Sequence, residues 1–193
     1  MSHGEHDLAK GDSPTGKVSS RRVYTGRVVS LDVDTVRFPN GGVGELEMIR
    51  HSGASAVVPI LVVPSGERQV LLIRQYRYAA EGFVYEIPAG RLDNGETPEA
   101  CAHRELKEET GYTAEHMVGL TTIFTTPGFT DERVHLFLAT GLVSGAAALE
   151  SDEVLDLHPV SFGYALEMIR SGEIQDGKTI SALLFVARFQ KIE

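Results

Sequence analysis

From Arg21 onward, apolar and polar positions alternate in the two-residue period of a half-buried strand. Residues 23–29 and 31–38 are predicted as two short strands, the second ending at the turn Pro39-Asn40-Gly41-Gly42. The pattern resumes over 44–51. Residues 54–63 are almost continuously apolar, as in a strand covered on both faces. After Pro64-Ser65-Gly66-Glu67, further strands are predicted at 69–76 and 83–87. Thr97-Pro98 then opens a helix, with a hydroxyl at the cap and proline at the first helical position. Gly111 closes it. Strands follow at 113–124 and 134–140, and helices at 162–171 and 179–189. This order predicts an α+β fold, a mixed sheet with helices against it.

The chain has 193 residues, of which 42% are hydrophobic and 23% charged, so it can bury a real core. Residues 1–19 have almost nothing to bury and are expected to form a disordered tail. Residues 20–51 are read as an N-terminal β segment, and 52–193 as the main domain. The strands of 20–51 are too few to bury a core alone, so they are expected to pack across the two-fold axis of a homodimer, which light scattering reads directly.

Against 18 Lys and Arg stand 27 Asp and Glu, a net charge of −9. That balance argues against a nucleic-acid partner, which needs basic surface to neutralise phosphates. A small anion remains open, because a few placed arginines or a metal reverse the local field. Cys101 is the only cysteine, so no internal disulfide forms and a reducing compartment is expected. No apolar run approaches the length of a membrane span, and the first 30 residues carry no hydrophobic signal core. A cytoplasmic protein with no membrane partner is the expectation.

The chemistry concentrates in residues 90–112. On the helix, Glu105, Glu108 and Glu109 fall within an arc of about 100°. Like charges at this spacing repel, and the last helical turn favours cations over anions. Arg104 and Lys107 project from other angles on an ideal helix. Carboxylates set against both rules suggest a cation on that face. Oxygen ligands without His or Cys point to a hard divalent ion, Mg²⁺ or Mn²⁺. A solvated acidic face is the alternative.

Gly90, Glu96, Arg104, Glu105, Leu106, Glu108, Glu109, Gly111 and Tyr112 stand at the spacing of a known signature. The segment resembles that of the Nudix hydrolases, with Tyr112 aromatic where the pattern usually has an aliphatic residue. The resemblance implies a mixed β-sheet sandwiched between helices, and metal-dependent hydrolysis of a nucleoside diphosphate linked to another group. By the same resemblance Glu105 and Glu109 are principal metal ligands, Glu108 joins them, and the backbone oxygen of Ala89 completes one site. Glu96 and Arg104 form a structural pair.

Pro127 follows Gly111 by sixteen residues, within Thr126-Pro127-Gly128-Phe129-Thr130-Asp131-Glu132. With Ile73-Arg74-Gln75-Tyr76-Arg77 and Tyr85-Glu86-Ile87-Pro88-Ala89-Gly90, this setting resembles the ADP-ribose pyrophosphatase branch. The implied reaction yields AMP and ribose 5-phosphate from ADP-ribose. Another nucleoside diphosphate sugar, or a non-catalytic ADP-ribose-sensing module, are the alternatives. The resemblance makes Arg77, Glu47, Arg91, Gly128 and Phe129 substrate contacts. Relatives often carry Arg just before the residue matching Glu47; here it is Leu46, and Arg50 is the nearest substitute. Val28 stands where relatives often stack an aromatic on adenine. The general base comes from the acidic loop, where Glu153 matches a third metal carboxylate and Glu150 is the nearest base. Glu132 is the outside candidate.

Overall fold

The computed structural model describes residues 15–145 and 155–191, and the chain forms two compact units. The first contains β1 (Gly16–Thr25), β2 (Ser30–Arg37) and β3 (Val43–Arg50), an antiparallel sheet in that order. β1 begins ahead of the predicted start at Val23, so residues 16–19, assigned to the tail by composition, are strand. Lys17, Ser19 and Ser20 pair with Val36, Thr35 and Asp34. Every residue of β1 is exposed, so the strand is held by its backbone ladder and carries no apolar alternation to betray its start.

Gly128–Asp131 belong to the same unit, although the boundary at 52 had placed them in the main domain. The Ile49 amide donates to the Phe129 carbonyl at 2.7 Å, and the Asp131 amide donates to the Ile49 carbonyl at 3.2 Å. The segment therefore lies parallel along the edge of β3.

The second unit contains β4 (Ala54–Val62), β5 (Arg68–Arg77), β6 (Gly82–Glu86), β7 (Ala89–Arg91), α1 (Pro98–Thr110), β8 (Tyr112–Phe124), β9 (Arg133–Ser144), β10 (Leu155–Ser161), α2 (Phe162–Ser171) and α3 (Gly177–Phe189). Its sheet runs β10–β5–β4–β9–β8, with β6 added on β5 and β7 on β4. Among these pairs only β4 and β9 run parallel. The α+β expectation holds.

The continuous apolar run of β4 is buried on both faces. Ala56, Val58 and Ile60 share a core with Met168 of α2 and Leu183 and Val186 of α3. Val57, on the other face, packs with Ala102 and Leu106 of α1. The helices thus cover the sheet from both sides. β10 was not predicted, because Pro159 interrupts its short pattern. It is an edge strand of the path, where a missing N–H is tolerated. α3 starts two residues before the predicted Thr179, because Asp176 caps it and accepts from the Thr179 amide.

Candidate active site

α1 is placed by its ends. The Thr97 hydroxyl accepts from the Ala100 amide at 3.2 Å, and the Ser55 hydroxyl of β4 donates to the Pro98 carbonyl at 2.7 Å. Gly111, at φ 75°, closes the helix with its amide on the Lys107 carbonyl, a left-handed conformation that favours glycine. With Ala102 and Leu106 committed to the core, Glu105 and Glu109 are drawn under cover beside them, 7% and 2% exposed.

These carboxylates lie against β7. The Ala89 amide donates to Glu109 Oε2 at 2.9 Å. A side chain built on Gly90 would collide with the carboxylate of Glu105, so the glycine provides the room that Glu105 occupies. Glu108 is more open, its side chain 32% exposed.

Arg104 organises the remainder. Its Nε and Nη2 donate to the two oxygens of Glu96, both at 2.9 Å, and Nη2 also donates to the Arg91 carbonyl at 3.0 Å. The expected Glu96–Arg104 brace is present. Contrary to the ideal-helix projection, Nη1 donates to Glu105 at 2.6 Å and to Glu108 at 3.0 Å. The length of the arginine side chain overrides the angle of its Cα. Arg104 chiefly, with the Asp93 amide, holds the Glu96 carboxyl down at about 2.

A carboxylate depressed in the folded state stabilises fully above its unfolded pKa, and that contribution is lost as pH falls through the folded value. Glu96→Gln is therefore expected to lower the melting temperature by roughly 5 °C at pH 6. The gap to the parent should close between about pH 4.5 and 2. A constant gap across melting curves at pH 6, 4 and 2 would contradict the assignment.

Among the described residues, no group of three or more His, Cys, Asp or Glu side chains is arranged so that it could hold a metal ion. Arg104 supplies the positive charge that Glu105 and Glu108 share. The chemistry of the carboxylates nevertheless fits a hard divalent ion: Glu105 and Glu109 are buried one helical turn apart, with Glu108 more open on the same helix. Glu150 and Glu153 lie outside the described residues. Glu132 accepts from the Thr125 hydroxyl at 2.9 Å and so helps close its own loop.

Arg77, at the end of β5, is held by Glu86 of β6 through Nε at 2.8 Å and Nη2 at 2.9 Å. Glu86 is buried, and Lys178 of α3 meets its second oxygen. Glu86 and the charge of Glu109 keep Arg77 protonated beyond its ordinary range. Neither Glu86 nor Lys178 was singled out from sequence. The available signals were a charged residue inside the apolar strand Phe83–Ile87 and a lysine in the first turn of a helix. Arg91 is exposed, and its described contacts run through its carbonyl, which also accepts from the Cys101 thiol at 3.4 Å. Burial pushes that thiol up to about 11, which makes it a packing group and a poor nucleophile.

In the first unit, Glu47, Gly128 and Phe129 line one cavity of about 510 Å³ with Arg21, Val33, Glu45 and Leu46. Three residues expected to touch substrate are thereby brought together. Arg21 was missed: it joins Glu47 only through the register Arg21–Val33–Glu47 across three strands. Arg50 does not substitute for the arginine absent at Leu46. Its guanidinium is taken by Asp32 at 3.1 Å, by Asp34, and by Asp131 at 3.1 Å. The Ser20 hydroxyl first, and then Arg50, hold Asp34 below the usual carboxylate range.

Residues 54–182 match the NUDIX domain. The chain belongs to the NUDIX family. Similar proteins include the methanol dehydrogenase activator of Bacillus methanolicus, 42% identical over 88% of this chain and 90% of that one. The ADP-ribose pyrophosphatase of Bacillus subtilis is 37% identical over the same shares. The GDP-mannose pyrophosphatase of Salmonella paratyphi B is 36% identical over 88% of this chain and 91% of that one. A crystal structure of an ADP compounds hydrolase shares the fold, with TM-score 0.78 over 94% of this chain and 96% of that one, at 22% identity. The protein is thus a NUDIX hydrolase, a family of enzymes that generally use divalent metal ions. Among the described residues, no helix is long and apolar enough to cross a membrane.

Proposed function

We propose that this NUDIX enzyme hydrolyses the pyrophosphate of ADP-ribose to AMP and ribose 5-phosphate, using Mg²⁺ or Mn²⁺. The observation that carries the reading is the seating of Glu105 and Glu109, nearly buried and one turn apart, against the Ala89–Gly90 step. The choice of substrate is supported by the likeness to a named ADP-ribose pyrophosphatase over most of both chains.

Glu105, Glu108, Glu109 and the Ala89 carbonyl would hold the ion, joined by Glu153. When bound, it supplies positive charge to the pyrophosphate and makes water more acidic. Arg77 offers a fork of donors suited to paired phosphate oxygens, and Glu86 fixes its plane. Arg104 holds Glu105 and Glu108 in place before substrate arrives. Water adds at one phosphorus, the bond to the bridging oxygen breaks, and Glu150 takes the proton, with Glu132 as the second candidate. In the first unit, the cavity lined by Arg21, Glu47, Gly128 and Phe129 offers both charged and apolar groups to a ligand.

The GDP-mannose pyrophosphatase relative supports a second reading, a different nucleoside diphosphate sugar. AMP release from ADP-ribose, set beside GMP release from GDP-mannose with Mg²⁺ or Mn²⁺, separates the two. ADP-ribose is expected to give the higher kcat/KM by about tenfold or more. A preference for GDP-mannose would replace the first reading with the second.

A further inference from the structure

The first turn of α3 is fastened to the strand that leads into the active-site segment. Thr179 is fully buried, and its hydroxyl accepts from the Ile87 amide at 2.9 Å while donating to Asp176 at 2.5 Å. One residue earlier, Lys178 directs its ammonium to the Glu86 carboxylate and, at 3.1 Å, to Asp176. The Lys178 side chain is 17% exposed, so this is a sheltered cation on the first turn of a helix, where the dipole disfavours it. Its position needs a compensating partner. Glu86, 3% exposed, is that partner.

Glu86 also holds Arg77, so one buried carboxylate faces two cations. Arg77 spends Nε and Nη2 on Glu86. Its Nη1 has no hydrogen-bond partner among the described residues, and the side chain is 43% exposed. Arg77 and Lys178 are balanced by Glu86 and Asp176, and Asp176 additionally caps the amides of α3. Without Lys178 the cluster would carry an excess negative charge beside the arginine. Arg77 would then be the sole cation for a buried carboxylate, and an incoming anion would have to compete with that carboxylate for it.

We infer that Lys178 is a positioning residue that acts through Glu86: by neutralising this carboxylate it leaves the charge of Arg77 available to a diphosphate. The inference rests on the reading of Arg77 as a diphosphate contact. It extends the site to α3, well beyond the signature segment in sequence.

The test is calorimetric binding of inorganic pyrophosphate to the full chain in EDTA, for the parent, Lys178→Met, and the double variant Glu86→Gln, Lys178→Met. Lys178→Met is expected to weaken binding roughly tenfold. The double variant should recover most of the loss, because a neutral amide makes no claim on the arginine charge. In turnover of ADP-ribose or GDP-mannose, the Lys178→Met change should appear in KM, with kcat held to within about threefold. Unchanged pyrophosphate binding in Lys178→Met, a double variant as weak as the single, or no measurable binding by the parent would each overturn the inference. If Lys178→Met does not fold, the double variant decides alone, parent-like affinity supporting the inference and tenfold weaker binding refuting it. A parent that binds pyrophosphate with this pattern of variants but hydrolyses neither sugar would refute the proposed reaction and leave the inference standing.

Discussion

Replacing Glu109 with Gln is expected to lower kcat by about 10³-fold or more while the protein remains folded. Glu109 is 2% exposed, and it receives the Ala89 amide on Oε2. The amide of Gln retains an oxygen in that place, so the bond that ties α1 to β7 survives. What disappears is the negative charge, the property a divalent ion needs from its ligand. Loss of charge also removes repulsion between carboxylates spaced along one helix face, so stability in the absence of metal should hold or rise slightly. The check is kcat across a Mg²⁺ titration, with a melting curve in EDTA on the same sample. A variant that turns over within tenfold of the parent would remove Glu109 from the metal site.

Gly90→Ala is expected to cost about 10²-fold in activity for a single methyl group. The added carbon would occupy the space taken by the Glu105 carboxylate. That carboxylate is the end of a flexible side chain, and it can swing away without moving the backbone of β7. The fold should therefore survive, with Glu105 turned out of its place between Gly90 and Arg104. Activity falling with little change in melting temperature is the expected signature. A melting temperature reduced by more than about 10 °C would instead show that the strand itself had been displaced.

The elements that could be read from sequence were those whose pattern matched their burial. β4 is apolar on both faces because it is the strand covered by helices on both sides, and its bounds agree with the predicted run to one residue. α1 and α2 carry their caps in the chain, so both appear where Thr97-Pro98 and residues 162–171 predicted them. The glutamates of α1 were legible because one helix fixes their spacing. β1 and β10 were harder. One is stabilised by backbone pairing beneath an exposed surface, and the other contains a proline at a sheet edge.

The site residues missed share a different cause. Glu86 and Lys178 are 92 residues apart, and Arg21 meets Glu47 only across an intervening strand. No local spacing encodes such pairs. Arg50 shows the converse: its position in sequence suited a substrate contact, but three aspartates already engage it.

The parallel seating of Gly128–Asp131 along β3 also orders events in time. Arg50 and Asp131, which form an ion pair, stand 81 residues apart, so the ribosome makes β1, β2 and β3 long before the segment that finishes their edge. A nascent chain must wait with the amides of Ile49 in β3 and of His51 just after it unclaimed by their later partners. Contacts of such sequence separation are slow to form, because the loop between them must close first. An amino-terminal fragment ending before Pro127 would lack these closing bonds, and the natural order of assembly places completion of the smaller sheet after synthesis of most of the larger one.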